Sequence, residues 1–133
     1  MLTISNQSDY GILLITSLVG KKDYIPLSEL LEKTKLPKRY LARIASVLSK
    51  NKIIKSKEGK IGGYKLVADL DKVTLFDYLK IFESDFHLSK CNDKDFDCQF
   101  RNICKHRTFL KDKLDQIIYT QLKKISLNQL LKS

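Results

Sequence analysis

The basic residues of this 133-residue chain are concentrated in one stretch, residues 33–65. That stretch holds eleven Lys and Arg against a single acid, Glu58, so it carries the whole formal net charge of +10. The rest of the chain, with fourteen basic and fourteen acidic residues, is neutral. Because a block of one sign repels itself unless it meets the opposite charge, we expect the fold to present this stretch to a polyanion. Nucleic acid is the leading candidate for that partner.

A helix that begins at Pro37 is predicted in the middle of the basic stretch. Its apolar residues recur at three- and four-residue spacing and are expected to form one buried stripe: Tyr40, Leu41, Ile44, Val47 and Leu48. The opposite face carries long cationic side chains separated by small ones: Lys38, Arg39, Ala42, Arg43, Ser46 and Lys50. Small residues allow the backbone to approach a groove closely, and the Arg forks then reach base edges or phosphates. The pattern predicts a DNA recognition helix.

Behind this helix the apolar period changes to two, which predicts short strands at residues 53–56 and 64–67. Three of the five glycines lie between them, together with Lys57 and Lys60. Such a hairpin, directly after a recognition helix, is typical of a wing. We expect Lys57 and Lys60 to supply charge, and the main chain of Gly62 and Gly63 to lie against the sugar-phosphate backbone. A plain solvated hairpin is the alternative.

The expected fold class is mainly α with a small β-hairpin, in the form of a winged helix-turn-helix. Two short helices precede the recognition helix, at residues 8–19, with Ser8 as the N-cap, and at residues 26–33. After the wing, Thr74 and Asp77 form a capping-box pattern that predicts a connecting helix. These patterns divide the chain into three parts: a DNA-binding domain at residues 1–72, a connecting helix with a cysteine-bearing loop at 73–101, and a dimerisation helix with a short last helix at 102–133.

A long amphipathic helix is predicted past Asn102, with a mostly apolar stripe: Ile103, Leu110, Leu114, Ile117, Gln121 and Ile125. About 22 residues of helix span roughly 33 Å, which is longer than a small winged domain needs to close its core. We therefore expect the excess apolar face to bury against a second copy, since a two-fold protein matches a two-fold operator. Packing within one chain is the alternative. Ser126 and Gln129 form another capping-box pattern and predict a last short helix at residues 127–131.

Composition favours a soluble, cytoplasmic protein. The chain opens without a basic n-region or a small-residue cleavage site. Its longest apolar run, residues 11–15, is far shorter than the roughly 18 to 20 residues that span a bilayer. Three cysteines clustered in one third of the chain fit a reducing compartment better than a secreted disulfide scaffold.

The three cysteines lie within fourteen residues, in and after a long polar loop: Cys91, Cys98 and Cys104. Structural free cysteines are typically buried singly in apolar segments, so this cluster is unusual. Three thiolates on one loop can converge on a centre, one short of the four ligands usual for zinc or an iron-sulfur cluster. The fourth donor would come from elsewhere, or its position would stay open. His87 is interpreted as an ordinary loop residue, and catalysis is not expected because neither His87 nor His106 lies beside a nucleophile with an orienting acid.

Five stretches of the sequence resemble the Rrf-two family of bacterial winged-helix transcription regulators, most closely its iron-sulfur members of the IscR and NsrR type. They cover the whole length: residues 2–5 with 8–10, 36–41, 62–66, 73–77 and the cysteine loop. The resemblance implies a homodimer that binds operator DNA. It also implies that Cys91, Cys98 and Cys104 ligate a 2Fe-2S or 4Fe-4S cluster whose state alters the affinity for DNA.

The resemblance also bears on the fourth ligand. In IscR-like members a His follows the third Cys with two residues between, whereas His106 follows Cys104 with one, which on a helix points it about 200° away. In NsrR-like members an Asp near the N-terminus of the other subunit is the ligand. Asp9 occupies the matching position and is preferred over His106; the alternative is a first-turn acid that favours the helix dipole. A second departure is the six residues between Cys91 and Cys98, where the family has five.

The first hypothesis is a dimeric winged-helix regulator or repressor, not an enzyme, that senses iron-sulfur status, redox stress or nitric oxide through this cluster. A second hypothesis keeps the DNA-binding fold and makes the cysteines thiol redox switches or a zinc site. A third is an interaction protein that docks an enzyme through the long helix.

Overall fold

The computed structural model describes residues 4–83, 87–92, 95–105 and 109–132, apart from the side chains of residues 110 and 111. Helices predominate and two short strands pair as an antiparallel hairpin, so the prediction of a mainly helical fold with a small hairpin is confirmed. The elements are, in order, helices α1 (Asn6–Leu18), α2 (Leu27–Thr34) and α3 (Lys38–Lys50), strands β1 (Ile54–Lys57) and β2 (Gly63–Leu66), helix α4 (Leu75–Phe82), a 3-10 turn (Lys90–Asn92), a π-helical segment (Phe109–Leu114), and helices α5 (Asp115–Leu122) and α6 (Leu127–Lys132).

Helix α1 begins two residues before the predicted start. The hydroxyl of Ser5 accepts a hydrogen bond from the Ser8 main-chain N–H and caps the helix. Ser8, the predicted cap, is instead buried in the first turn. Further along the helix Leu14 and Ile15 point into the core, whereas Leu13 is 45% exposed.

One hydrophobic core joins the three N-terminal helices and the hairpin. Its fully buried residues come from α1, α2, α3 and β1: Leu14, Ile15, Leu18, Leu30, Leu41, Ile44, Ala45, Leu48 and Ile54. The predicted stripe of α3 is wrong at Tyr40, which is 44% exposed, and it omits Ala45, which is fully buried. The Tyr40 ring instead meets Tyr10 edge-on, with ring centroids 5.9 Å apart.

The hairpin is attached to the helices at a second place besides its chain connection to α3. Its strands lie one residue from the predicted spans and pair with Ile54 opposite Leu66 and Lys57 opposite Gly63. Ile25, in the loop before α2, exchanges two main-chain hydrogen bonds with Tyr64 of β2, at 2.8 and 2.9 Å. The loop before α2 therefore acts as a one-residue third strand.

Helix α4 starts with the predicted capping box, which is confirmed. The Asp77 N–H donates to the Thr74 hydroxyl at 3.1 Å, and the Thr74 N–H donates to the Asp77 carboxylate at 3.4 Å. Tyr78 on this helix is 1% exposed, and its hydroxyl donates to the main-chain oxygen of Ser8 in α1. Burial, with a smaller contribution from the charge of Asp9, raises the pKa of Tyr78 well above its ordinary value. Helix α4 is thus fixed against α1.

The last helix packs on the same core. The Ser126 N–H donates to the Gln129 side chain at 3.1 Å and the Gln129 N–H to the Ser126 hydroxyl at 3.2 Å, which confirms the second capping pattern. Leu127 is fully buried, and its N–H donates to the Val73 carbonyl at 2.9 Å. Helix α6 therefore closes the core beside the start of α4.

The long helix predicted past Asn102 is shorter than expected. Residues 99–103 form turns, in which the N–H groups of Ile103 and Cys104 both donate to the Phe100 carbonyl. Helical structure covers residues 109–122, and its first six residues are π-helical. Hydrophobic spacing misses such a turn because it records only the side-chain period and not where the hydrogen bonds go. None of the helices in the described ranges is long and apolar enough to cross a membrane.

Candidate nucleic-acid interface and cysteine segment

The outer face of α3 is basic and open to solvent. Its residues lie opposite the buried stripe, and all are exposed except half-buried Ala42: Lys38, Arg39, Ala42, Arg43, Ser46 and Lys50. We call this set the recognition face. Arg39 and Arg43 are one helical turn apart, so their guanidinium groups leave the same side of the helix and line one surface pocket. A guanidinium fork can donate two parallel hydrogen bonds to guanine or to a phosphate.

Two lysines of the wing lie over one tyrosine, a contact that the sequence pattern does not predict. Lys57 Nζ lies 5.6 Å from the centre of the Tyr24 ring, and Lys65 Nζ lies 6.0 Å from it. Both distances are within the range of cation–π attraction. Tyr24 precedes Ile25, whose main-chain bonds to Tyr64 hold this loop beside the sheet. Because Tyr24 is distant in sequence from both lysines, only the fold brings them together.

The wing glycines have roles inside the molecule. Gly62 is buried, its N–H donates to the Gly59 carbonyl at 3.1 Å, and a Cβ on it would lie 2.2 Å from the Lys57 carbonyl oxygen. Gly63 has a φ of +141°, and a Cβ there would lie 2.1 Å from the Ile25 carbonyl oxygen. The predicted phosphate contact of the Gly62 main chain disagrees with its burial and its engaged N–H.

On the same hairpin, Lys57 and Lys60 are exposed, as expected of the charged residues of a wing. Ile61, beside Lys60, is 80% exposed. The charged part of the predicted wing is therefore accessible to a nucleic acid.

The three cysteines are not joined by disulfides, and each is half-buried, in what we call the cysteine segment, residues 87–105. Cys91 lies in the 3-10 turn, where its N–H donates to the Ser89 hydroxyl at 3.2 Å. Cys98 and Cys104 lie among the turns that follow. Within the described ranges, no three Cys, His, Asp or Glu side chains converge where they could hold a metal ion. The thiol donors fit zinc or an iron-sulfur cluster chemically, but this conformation does not assemble them.

Only one of the two candidate fourth ligands can be placed. Asp9 is exposed in the first turn of α1, a position where an acid also favours the helix dipole. His106 lies outside the described residues. Both interpretations of Asp9 are therefore compatible with its position.

A buried carboxylate, Asp115, holds the start of the cysteine segment. It is 5% exposed and accepts a hydrogen bond from the Leu88 N–H at 3.0 Å and another from the Asn92 side-chain amide. His87, interpreted from the sequence as an ordinary loop residue, does lie in a loop, and its Nδ1 is 3.1 Å from the Oδ2 of this carboxylate. The only sequence feature that points to a buried carboxylate here is the position of Asp115, directly after Leu114 of the predicted apolar stripe.

Helix α5, which begins at Asp115, also packs against α4. The Tyr119 hydroxyl lies 3.5 Å from His87 Nδ1, and the Tyr119 ring packs on Phe76 of α4 with centroids 4.9 Å apart. Burial and then the charge of Asp115 raise the pKa of Tyr119. One face of α5 thus touches both the cysteine segment and α4.

Glu83, the C-cap residue of α4, connects the end of this helix to the start of α1 through hydrogen bonds. Its Oε1 accepts hydrogen bonds from the Ser5 N–H and the Ser8 hydroxyl, both at 2.9 Å. Burial raises the pKa of Glu83, but these hydrogen bonds outweigh it and hold the pKa below its ordinary value. The carboxylate also lies at the N-terminus of α1, where the helix dipole favours negative charge.

Comparison with known proteins identifies the family. Residues 4–133 match the Rrf2 family, described as an iron-dependent transcriptional regulator. The HTH-type transcriptional regulator IscR of Vibrio campbellii is 27% identical over 131 residues, which cover 97% of this chain and 77% of that protein. A candidate HTH-type transcriptional regulator of Aquifex aeolicus is 26% identical over 83 residues, which cover 62% of this chain and 58% of the relative's length.

Among solved structures, that of CymR, the global cysteine regulator of B. subtilis, superposes with a TM-score of 0.72 at 21% identity. The alignment covers 99% of this chain and 98% of CymR, and shows that the fold is shared. The matched relatives regulate transcription, and a family of such regulators implies a DNA-binding protein rather than an enzyme. The family match extends over nearly the whole length, from the helices through the wing to the last helix. This chain therefore belongs to the Rrf2 family of transcriptional regulators.

Proposed function

We propose that this regulator binds duplex DNA with α3 in the major groove and the β1–β2 wing against the neighbouring phosphates. The observation that carries the proposal is the recognition face, on which Arg39 and Arg43 are exposed one turn apart and opposite the core. The wing supports it, because Lys57 and Lys60 are exposed on a hairpin that is fixed to the helices. The net charge of +10 adds a general attraction for phosphates.

Fluorescence anisotropy, with a promoter fragment of the chain's own gene and an unrelated duplex, tests the role of α3. Arg39→Ala or Arg43→Ala is expected to reduce the preference for the promoter about tenfold or more, because a lost bidentate contact removes discrimination between bases. Lys124→Ala, which changes an exposed lysine outside the basic stretch, is the control. An unchanged preference in both Arg variants would exclude α3 as the reading element.

The same measurement at several salt concentrations tests the wing. Lys57→Ala or Lys60→Ala is expected to weaken binding to both duplexes alike and to lower the salt slope by ~1 for each lost phosphate contact. Salt-independent binding of the native protein would contradict this part of the proposal.

The second part of the proposal is a homodimer. Large apolar side chains are exposed on α5 and on the segments before it, with Ile117 at 54%, Phe109 at 53% and Ile103 at 76% exposure. A two-fold pair would present two recognition faces to a palindromic operator. Sedimentation equilibrium should give twice the chain mass. Ile117→Glu should weaken the dimer about tenfold or more, whereas Gln116→Glu at the exposed neighbouring position should not. A monomeric native protein at micromolar concentration would rule the dimer out.

The third part concerns sensing. Three cysteines in one segment, and the description of the family as iron-dependent, support an iron-sulfur cluster held by Cys91, Cys98 and Cys104. Asp9 of the partner subunit would be the fourth ligand, with His106 as the alternative. Since the three thiols do not converge in this conformation, they would have to approach one another when a cluster binds. A bound cluster would supply chemistry that responds to iron-sulfur status, oxidants or nitric oxide.

Anaerobic reconstitution, followed by absorption spectroscopy and iron and sulfide analysis, tests the cluster. Visible absorption should be lost in each of Cys91→Ser, Cys98→Ser and Cys104→Ser, and Asp9→Ala should keep iron but change the spectrum. A colourless, iron-free protein with unchanged DNA binding would reject the cluster. Thiol counting and zinc analysis would then distinguish a thiol redox switch from a zinc site.

A further inference from the structure

Asp115 binds several groups of the cysteine segment although it lies on α5. Burial of a carboxylate is unfavourable unless its charge is hydrogen-bonded. Among the described residues, its partners are the Leu88 N–H, 3.0 Å from Oδ1, His87 Nδ1, 3.1 Å from Oδ2, and the side-chain amide of Asn92. All three belong to residues 87–92, so the charge stabilises one particular arrangement of that short stretch.

The partners of Asp115 lie on both sides of Cys91. His87 and Leu88 precede the 3-10 turn, and Asn92 is its last residue. Cys91 lies between them and is further held by the bond from its N–H to Ser89. The carboxylate therefore ties the two ends of the turn to one point on α5, and hydrogen bonds to a charged acceptor are stronger than neutral ones.

We propose that Asp115 is a positioning residue for Cys91. The Asp115 carboxylate fixes the Cys91 thiol against α5 and limits the access of reagents to it. The proposal concerns the free protein and holds whether or not the thiols ligate a metal. Replacement by Asn keeps the shape of the side chain, but it removes the charge and turns an NH2 group toward the donors. The turn then loses the acceptor that holds both of its ends, so Cys91 is released to solvent more often.

The part of α5 that contacts the turn is itself packed against α4. Tyr119, one turn after Asp115, lies 3.5 Å from His87 Nδ1 and packs on Phe76 of α4. The support under Cys91 is therefore a helix that is itself packed on another helix. Release of the turn should leave that support in place.

The test is the rate of Cys91 alkylation by iodoacetamide in the metal-free, reduced full-length chain. Cys91 is the only thiol in the Cys98→Ser, Cys104→Ser background. Addition of Asp115→Asn should raise the rate about tenfold, as expected when buried donors lose their acceptor. Asp112→Asn, which removes an equal charge from an exposed position on the preceding turn, should leave the rate unchanged.

A parallel series with Cys98 as the only thiol separates positioning from general loosening of the protein. In the Cys91→Ser, Cys104→Ser background, Asp115→Asn should change the rate less than about twofold, since the hydrogen bonds that the structure describes for Asp115 go to residues 87–92. Asn92→Ala, which removes one donor and keeps the carboxylate, should raise the Cys91 rate about two- to threefold.

Equal acceleration of Cys91 and Cys98, or unchanged Cys91 rates in both Asp115→Asn and Asn92→Ala, would overturn the proposal. If Asp115→Asn unfolds the protein, as circular dichroism would show, the Asn92→Ala rate decides. These outcomes depend on alkylation rates alone, so a failure of the DNA-binding proposal would leave them unchanged.

Discussion

The winged unit and the cysteine segment are stabilised in different ways. Residues 4–70 surround a core of fully buried side chains such as Leu14 and Leu41. In the described part of residues 87–105, by contrast, no residue is buried, and Phe100 and Ile103 are 54% and 76% exposed. Few buried apolar contacts imply a low free energy of local opening. The contrast is between a winged unit stabilised by packing and a cysteine segment held mainly by polar bonds to its neighbours.

The largest expected effect tests where the stability lies. Leu14→Ala should lower the free energy of unfolding by about 2–5 kcal/mol, because it leaves a cavity in the core. Phe100→Ala in the cysteine segment, at a side chain that is 54% exposed, should change it by no more than about 0.5 kcal/mol. Urea unfolding followed by circular dichroism measures both. Leu13→Ala, on the exposed side of α1, is the matched control. A similar loss in the Phe100 and Leu14 variants would break the contrast.

The next effect tests whether the wing belongs to the packed unit. Both Gly63 and Gly59 have positive φ, so Ala is strained at either position by about 1–3 kcal/mol. At Gly63 the new Cβ would also collide with the Ile25 carbonyl oxygen, whereas at Gly59 it would meet open space. Gly63→Ala should therefore destabilise more than Gly59→Ala in urea unfolding. Equal losses would mean that the wing is not pressed against this loop.

A smaller effect concerns Glu83, which connects the end of α4 to the start of α1. Because the pKa of Glu83 is below its ordinary value in the folded chain, its carboxylate contributes stability that is present above about pH 4.5 and lost as the pH falls through the folded value. The stability difference between the native chain and Glu83→Gln should therefore shrink below pH 4.5.

Unfolding by urea at a series of pH values measures this difference. Ser8→Ala, which removes one of the hydrogen bonds to Glu83, should show a weaker dependence on pH than the native chain. A difference that stays constant down to pH 3 would argue against a stabilising role for the charged form of Glu83.

The smallest effect refines the picture of the wing surface. Tyr24→Leu removes the ring under Lys57 and Lys65 and should weaken DNA binding about two- to fivefold, the size of an exposed cation–π contact. Tyr24→Phe keeps the ring and should bind DNA as the native chain does. If the two variants bind alike, the ring does not position these lysines.

Local patterns could be predicted from the sequence, since they depend on neighbours along the chain. The capping pairs Thr74 with Asp77 and Ser126 with Gln129 are three residues apart, and both are confirmed. The prediction fails at Tyr40, at the edge of the α3 stripe, because its ring packs against Tyr10 of α1, a contact that the spacing along α3 does not record.

Contacts between distant residues could not be predicted. The pairing of Asp115 with His87 and of Tyr24 with Lys57 depends on how the elements pack. The turn at Phe100 also interrupts a pattern that would otherwise continue as helix. Assembly of the cysteine ligands and contact with DNA remain predictions for the same reason, since they need groups that the single chain does not bring together.

The main-chain bonds between Ile25 and Tyr64 have a consequence for how the regulator would meet a duplex. A free two-stranded ribbon is only marginally stable in water and changes its tilt easily. Because one edge of the hairpin is hydrogen-bonded to the loop before α2, the packing of the helices sets the tilt of the hairpin. The distance between the DNA groove that would receive α3 and the DNA strand that the hairpin would contact is then fixed by the fold. The entropy of ordering the ribbon is lost during folding and not again at each encounter with DNA.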